Sequence, residues 1–229
     1  MAENVLMSEM SWTEVEQALK ERPIALLPVG NTEAHGPHLP LATDTLIAPP
    51  ITFSVSELGA DFPGTLGLPS ATAVALVRDV CLALSKKFRA VALVTVNQEA
   101  ANLDVLKKAA EEAKKAGGGA CFTDLAKKRW SDRLGAAFNA GDHAGHFETS
   151  LMLACARDHV REKERISLPP MDTLGPALKK GAKTFAEAGG EDAYFGDPTA
   201  ASAEEGEAFF VTLADILTLS IMEYLGSKA

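Results

Sequence analysis

The chain has 229 residues, of which 47% are hydrophobic and 23% charged, enough to bury a sizeable core without disulfides or a structural metal. Its formal net charge of −9 excludes nucleic acid as the main partner, because such a binder needs a basic surface to neutralise phosphates. The three cysteines, Cys81, Cys121 and Cys155, are far apart and form no CxxC pair, so neither a disulfide framework nor a zinc ribbon is supported and a reducing compartment is the simplest reading.

Met1 to Met10 carries two acids and no basic residue, unlike a signal peptide. No apolar run of 18 residues exists to span a bilayer. A cytoplasmic location with no membrane partner is expected by elimination. Trp12–Lys20 reads as a short helix capped by Ser11. Ile24–Val29 (IALLPV) is a short apolar run between Pro23 and Gly30 and reads as a buried strand. A polar loop follows, Gly30 to Asp44. Thr45–Leu58 has helical character but is interrupted by Pro49-Pro50.

Ser70–Phe88 is amphipathic at helical spacing, with Ser70 as the expected cap. Arg89–Val96 (RAVALVTV) reads as a second buried strand and Asn102–Lys115 as a helix with a charged outer face, ended by Gly117-Gly118-Gly119. Ala120–Thr123 is a candidate third strand. Glu148–Val160 is apolar at helical spacing. Pro169–Pro198 is rich in Gly and Pro and reads as a surface meander. Ser202 and Glu205 form a capping box that opens a long helix to Leu225. Apolar strands alternating with helices predict an α/β layered fold, with no internal repeat and no strong domain boundary.

Four of the five histidines fall in two short segments that also carry carboxylates. The first, GNTEAHGPHLPLATD, holds Glu33, His35, His38 and Asp44. The second, GDHAGHFETS, holds Asp142, His143, His146 and Glu148. The first segment directly follows a buried strand, and ligands in open α/β sheets collect at the carboxyl ends of strands. Imidazole and carboxylate donors together suit Zn²⁺, Mn²⁺ or a similar divalent ion. Such an ion can activate water and polarise a carbonyl, with a nearby His moving protons. The plainer reading of each residue is a solvated loop His, a helix cap or a first-turn acid; it is the joint clustering that points to a site. Trp12 and Trp130 read as packing residues, and His159 as a surface residue.

The segment LLPVGNTEAHGPHLPLATD resembles the signature of the creatininase family of amidohydrolases, and three further pieces follow in family order: FPGT (Phe62–Thr65), HAGHFETS (His143–Ser150) and GDPTAASAEEGE (Gly196–Glu207). The resemblance implies a single domain over residues 1–229, a three-layer α/β/α sandwich around a mostly parallel sheet, commonly assembled as a hexamer. It implies hydrolysis of a C–N bond in a small cyclic amide, formamide or similar amide, with one or two divalent ions (zinc or manganese, with iron or cobalt admissible). On that resemblance Glu33, His35 and Asp44 are metal ligands, His143 is the proton shuttle and Glu148 a further ligand or an acid behind the ligands, so that His143 and Glu148 are the catalytic candidates; Glu99, which stands where the family has a His, is added to the ligands because carboxylates bind the same ions.

Two departures stand out. Where the family usually reads NGHGGN or NGHYEN after the second strand, this chain reads NQEAAN, placing Glu99 at the His ligand and Ala101 at a further carboxylate. The segment 45–61 is also short for the family. The alternative expectation is therefore a non-catalytic binding or scaffolding relative that has lost its metal site at Glu99 and Ala101.

Overall fold

The computed structural model describes residues 19–20, 24–47 and 51–226. The expected helix Trp12–Lys20, apart from its last two residues, lies outside them, as does Trp12.

Three parallel strands, β1 (Ile24–Pro28), β2 (Ala90–Val94) and β3 (Ala120–Phe122), lie side by side in the order β1-β2-β3. The pairing register sets Leu26 against Ala92 and Ala92 against Cys121. Beyond β1, Val29 makes a single parallel bridge to Ile51. The order follows from two crossovers through helices α2 (Ser70–Ser85) and α3 (Ala100–Lys115), since parallel strands cannot be joined by tight turns.

The strand β2 shows why the sheet is layered. Val91 and Leu93 point into a cluster with Val74, Val77 and Cys81 of α2 and Leu106 and Ala109 of α3. Ala90 and Ala92 point the opposite way and are equally buried. A strand buried on both faces is what a helix–sheet–helix arrangement requires. A second cluster gathers Val96 and Leu125 with α4 (Lys128–Asn139), α5 (His146–Cys155) and α8 (Ala203–Tyr224) through Trp130, Leu134, Phe147, Leu151 and Ile216. The hydroxyl of Thr123, just past β3, donates to Ser220 Oγ of α8 at 2.9 Å. Thus Trp130 is a packing residue.

Several boundaries differ from the sequence reading. Ser70 is not a cap: α2 starts behind Pro69, whose extended ψ of 137° provides the turn without a side-chain bond. Only Thr43–Ile47 forms a helix (α1) near the Pro49-Pro50 interruption. Helix α4 had no expectation in the sequence; Gly135 at φ 80° kinks it and breaks the apolar period. Helix α6 (Glu162–Arg165) comes before the meander, and a short helix α7 (Leu174–Lys179) lies within it. The capping box of α8 is present in altered form. Ser202 Oγ accepts from Glu205 N at 3.2 Å, but the Glu205 carboxylate accepts from Ser202 Oγ at 3.0 Å and contacts His146 Nε2 at 2.9 Å, while the Ser202 N–H goes to Ser150 Oγ. Among the described residues no helix is long and apolar enough to cross a membrane.

Candidate active site

The site is built on the carboxyl ends of β1 and β2. After β1 the chain turns through a loop closed by the Glu33 N–H donating to Leu41 O (3.1 Å) and re-enters at α1, whose first turn carries Asp44. Asn31 N–H donates to Asp44 Oδ2 at 3.2 Å, fixing the carboxylate over the strand end. Gly30 makes this fold-back possible, because a Cβ there would lie 2.9 Å from Asp44 Cβ and backbone. The FPGT segment braces the same loop from outside: Ala34 N–H donates to Thr65 Oγ1 and Leu66 N–H to Thr32 O.

The second segment approaches from the other side. Residue His143 forms an antiparallel bridge with Phe195, and its ring contacts those of His35 (centroids 4.6 Å apart) and Phe185 (4.3 Å apart, planes inclined by 28°). Its Nε2 sits 2.8 Å from Ala34 O, which accepts only if Nε2 carries the proton; Nδ1 is then a lone pair, 3.9 Å from Glu148 Oε2. Ala144 adopts a left-handed φ of 53° so that its N–H meets Glu148 Oε2 at 2.7 Å. Non-glycine residues adopt that conformation at some energetic cost, which tends to be concentrated at functional sites.

His35 shows the complementary pattern. Its Nδ1 is 3.1 Å from Glu33 O, leaving Nε2 turned towards Asp44 Oδ1 (3.1 Å) and Glu148 Oε2 (3.8 Å). Glu33, His35, Asp44, His143 and Glu148 are all buried, Asp44 and His35 completely. Donor atoms of Glu33, His35 and His143, and again of His35, Asp44 and Glu148, fall within 4.8 Å of one another.

Burial and crowding shift these groups strongly. Burial and the Asp44 charge raise Glu33 to about 8. Burial raises Glu148 to about 7 despite the lowering effect of His35. Burial alone would lower His35, but Asp44, Glu148 and Glu33 together lift it to about 10. Burial and the neighbouring His35 press His143 down to about 3. Acids that raise one another around an imidazole mark a place arranged for positive charge.

Among the buried polar atoms without a well-formed hydrogen bond are Glu33 Oε2, His35 Nε2 and Asp44 Oδ1, the last two facing each other at 3.1 Å. Burying an imidazole among carboxylates without compensation is costly, and once deprotonated these side chains are the oxygen and nitrogen donors that a divalent ion prefers. The residues present therefore fit a divalent ion.

Not every expected residue joins this cluster. Glu99 precedes α3, and its Oε1 accepts from the N–H groups of Glu57 (2.9 Å) and Leu58 (3.2 Å), so the carboxylate ties down the short segment after Ile51. Burial raises its pKa. Ala101 packs against the hydrophobic cluster of α2 and α3. His38 is structural: Thr149 Oγ1 donates to Ala144 O and contacts His38 Nε2 at 3.0 Å. His146 faces Glu205, and His159 is exposed. Glu33, Glu99, His143 and Glu148 border a cavity of about 980 Å³ whose remaining wall is largely apolar, including Leu58, Phe138, Phe147, Leu174 and Phe185.

Two groups at the site had no sequence expectation. Asn97 Nδ2 donates to Glu33 Oε1 at 2.7 Å and to Asp44 Oδ2 at 3.3 Å. Phe185 stacks on His143 from the Gly/Pro-rich meander. For Asn97 a signal existed, a polar residue directly after a buried strand; for Phe185 none did.

Sequence comparison agrees with this geometry. The creatininase family, described as creatinine amidohydrolase, matches residues 8–221. The chain belongs to the creatininase family. A mycofactocin precursor peptide peptidase of Mycolicibacterium smegmatis is 30% identical over 221 residues, covering 84% of this chain and 82% of that protein. Among solved structures, one titled creatininase Mn superimposes with a TM-score of 0.74 at 22% identity, covering 95% of this chain and 97% of that one. A structure of creatinine amidohydrolase (creatininase) gives 0.73 at 23%, covering 95% and 96%. These likenesses establish a creatininase-like α/β fold for this chain.

Proposed function

We propose that this creatininase-family chain hydrolyses the C–N bond of an amide with a divalent metal held by Glu33, His35, Asp44 and Glu148. The observation that carries the reading is the crowding of buried donors around His35: Glu33 and His143 on one side, Asp44 and Glu148 on the other, each triad with donor atoms within 4.8 Å of one another. A divalent ion there supplies Lewis acidity for the amide carbonyl and for the attacking water. The chain's own groups do the rest. His143, with its Nε2 proton committed to Ala34 O, keeps Nδ1 open as a base that takes a proton from water and returns it to the leaving nitrogen. Contacts with Phe185 and His35 hold the ring in that orientation, at the wall of the cavity.

Manganese or zinc suits the donors, with iron or cobalt admissible. The substrate is read as a small amide or a peptide: the Mycolicibacterium relative is named for a precursor peptide, and the cavity of about 980 Å³ has room for more than a small ring. A single domain, a homo-oligomer and a cytoplasmic location complete the proposal.

One observation favours a second reading, a non-catalytic binding relative. With Glu99 engaged by backbone amides and Ala101 lacking a donor, the second half of a two-ion site is thinly furnished. The test is amine release from a panel of lactams and short peptides by protein loaded with Mn²⁺ or Zn²⁺. Turnover that falls at least ~10²-fold in His143→Gln supports the hydrolase. Metal-loaded protein inert to every member of the panel supports the binding relative.

A further inference from the structure

We infer that Asn97 is the positioning residue of the metal site: its side-chain amide decides which oxygens of Glu33 and Asp44 face the ion. This rests on the metal-site reading above.

Asn97, 2% exposed, has two N–H donors and one carbonyl with two lone pairs. Nδ2 donates to Glu33 Oε1 and to Asp44 Oδ2. Oδ1 accepts from Asn102 Nδ2 (3.3 Å) and from Glu99 N (3.1 Å). Every position is filled, and the orientation cannot reverse. A flipped amide would aim its carbonyl at two carboxylates and its NH₂ at two N–H donors. The opposite oxygens, Glu33 Oε2 and Asp44 Oδ1, make no well-formed hydrogen bond, and Asp44 Oδ1 faces His35 Nε2 at 3.1 Å. One amide thus joins carboxylates from two points of the first loop, one from each of the two triads that share His35, and turns their other oxygens away from itself.

The orientation is relayed from further back. Ser54 Oγ donates to Asn102 Oδ1, so Asn102 must turn its Nδ2 to Asn97. This chain of hydroxyl and amides spans the segment after Ile51, the start of α3 and the end of β2. It also accounts for the two asparagines that bracket NQEAAN. With Asn97 and Asn102 in place, Glu99 can serve the neighbouring loop and Ala101 the core without releasing Glu33 or Asp44. Partners behind metal-bound carboxylates commonly govern affinity by about 10–100-fold.

The test is a calorimetric titration of the metal-free full chain with Mn²⁺, with the electron paramagnetic resonance spectrum of the bound ion as a second readout. Asn97→Ala is expected to weaken Mn²⁺ binding 10–100-fold and to change the spectrum, because the carboxylates can rotate. Asn102→Ala, which touches neither carboxylate, is expected to shift both in the same direction but less. It decides the matter if Asn97→Ala does not fold. A folded Asn97→Ala, or failing that Asn102→Ala, that binds Mn²⁺ with wild-type affinity and an unchanged spectrum overturns the inference while the metal site stands. Wild-type protein that binds no Mn²⁺ overturns the metal-site reading and this inference with it.

Discussion

At the scale of single residues, the cluster separates side chains that hold charge from those that only hold shape. Asp44 has one oxygen on Asn31 N–H and Asn97 and the other 3.1 Å from His35 Nε2. Asp44→Ala is therefore expected to abolish metal binding with the fold retained, read by circular dichroism alongside metal analysis. His38 is the opposite case. Burial lowers its pKa from 6.5 to about 4, so the folded state holds it neutral while the unfolded chain protonates it below 6.5. Its contribution to stability is present above pH 6.5 and is lost as pH falls towards 4. His38→Gln, which can still reach Thr149, is expected to flatten the fall in Tm between pH 7 and 4.5. An equally steep fall in the variant would assign the acid sensitivity elsewhere. Glu33, His35, Asp44, His143 and Glu148 could be read from two short motifs. Asn97 left only the signal of a polar residue after a buried strand, and Phe185 and Ala34 O left none, since they meet those residues through strand pairing and the return of a distant loop.

At the scale of elements, close approach decides what the helices tolerate. α8 crosses α5 at Gly206, where a Cβ would sit 2.0 Å from Ser150 O. Alanine favours a helix over glycine by about 1 kcal/mol, yet overpacking costs about 1–3 kcal/mol, so Gly206→Ala is expected to destabilise, as measured by urea unfolding. A gain in stability would mean that the two helices can separate. Glu99 acts on a loop. Glu99→Ala should speed hydrogen exchange at the Glu57 and Leu58 amides and leave metal affinity within about threefold; a metal loss above tenfold would return Glu99 to the ligands. The elements with a clean apolar period, α2, α3 and α8, were readable in the sequence to within a few residues. α4 was not, because the kink at Gly135 breaks its period. The α2 start was placed correctly at Ser70, but its cap was not, because a serine beside a proline imitates one.

At the scale of the whole molecule, the acidic cluster gathers Glu33, Asp44 and Glu148 in the buried interior of a chain already at −9. The layered α/β architecture was readable because β2 is apolar on both faces and its neighbours are helical; how the first loop folds back on Asp44 was not, since Gly30 makes it possible only in three dimensions. A ligand that binds only the folded state at a hundred times its Kd adds about 2.7 kcal/mol, or about 5–10 °C in Tm for a chain of this size. Chelation should remove that increment and re-addition of Mn²⁺ or Zn²⁺ should restore it. The measurement that bears most directly on the account is the metal content per chain of protein purified without chelator or metal-affinity resin. The account predicts about one or two equivalents of a divalent transition ion, lost in Asp44→Ala. Wild-type protein that carries no metal and takes up none when Mn²⁺ or Zn²⁺ is supplied would contradict it.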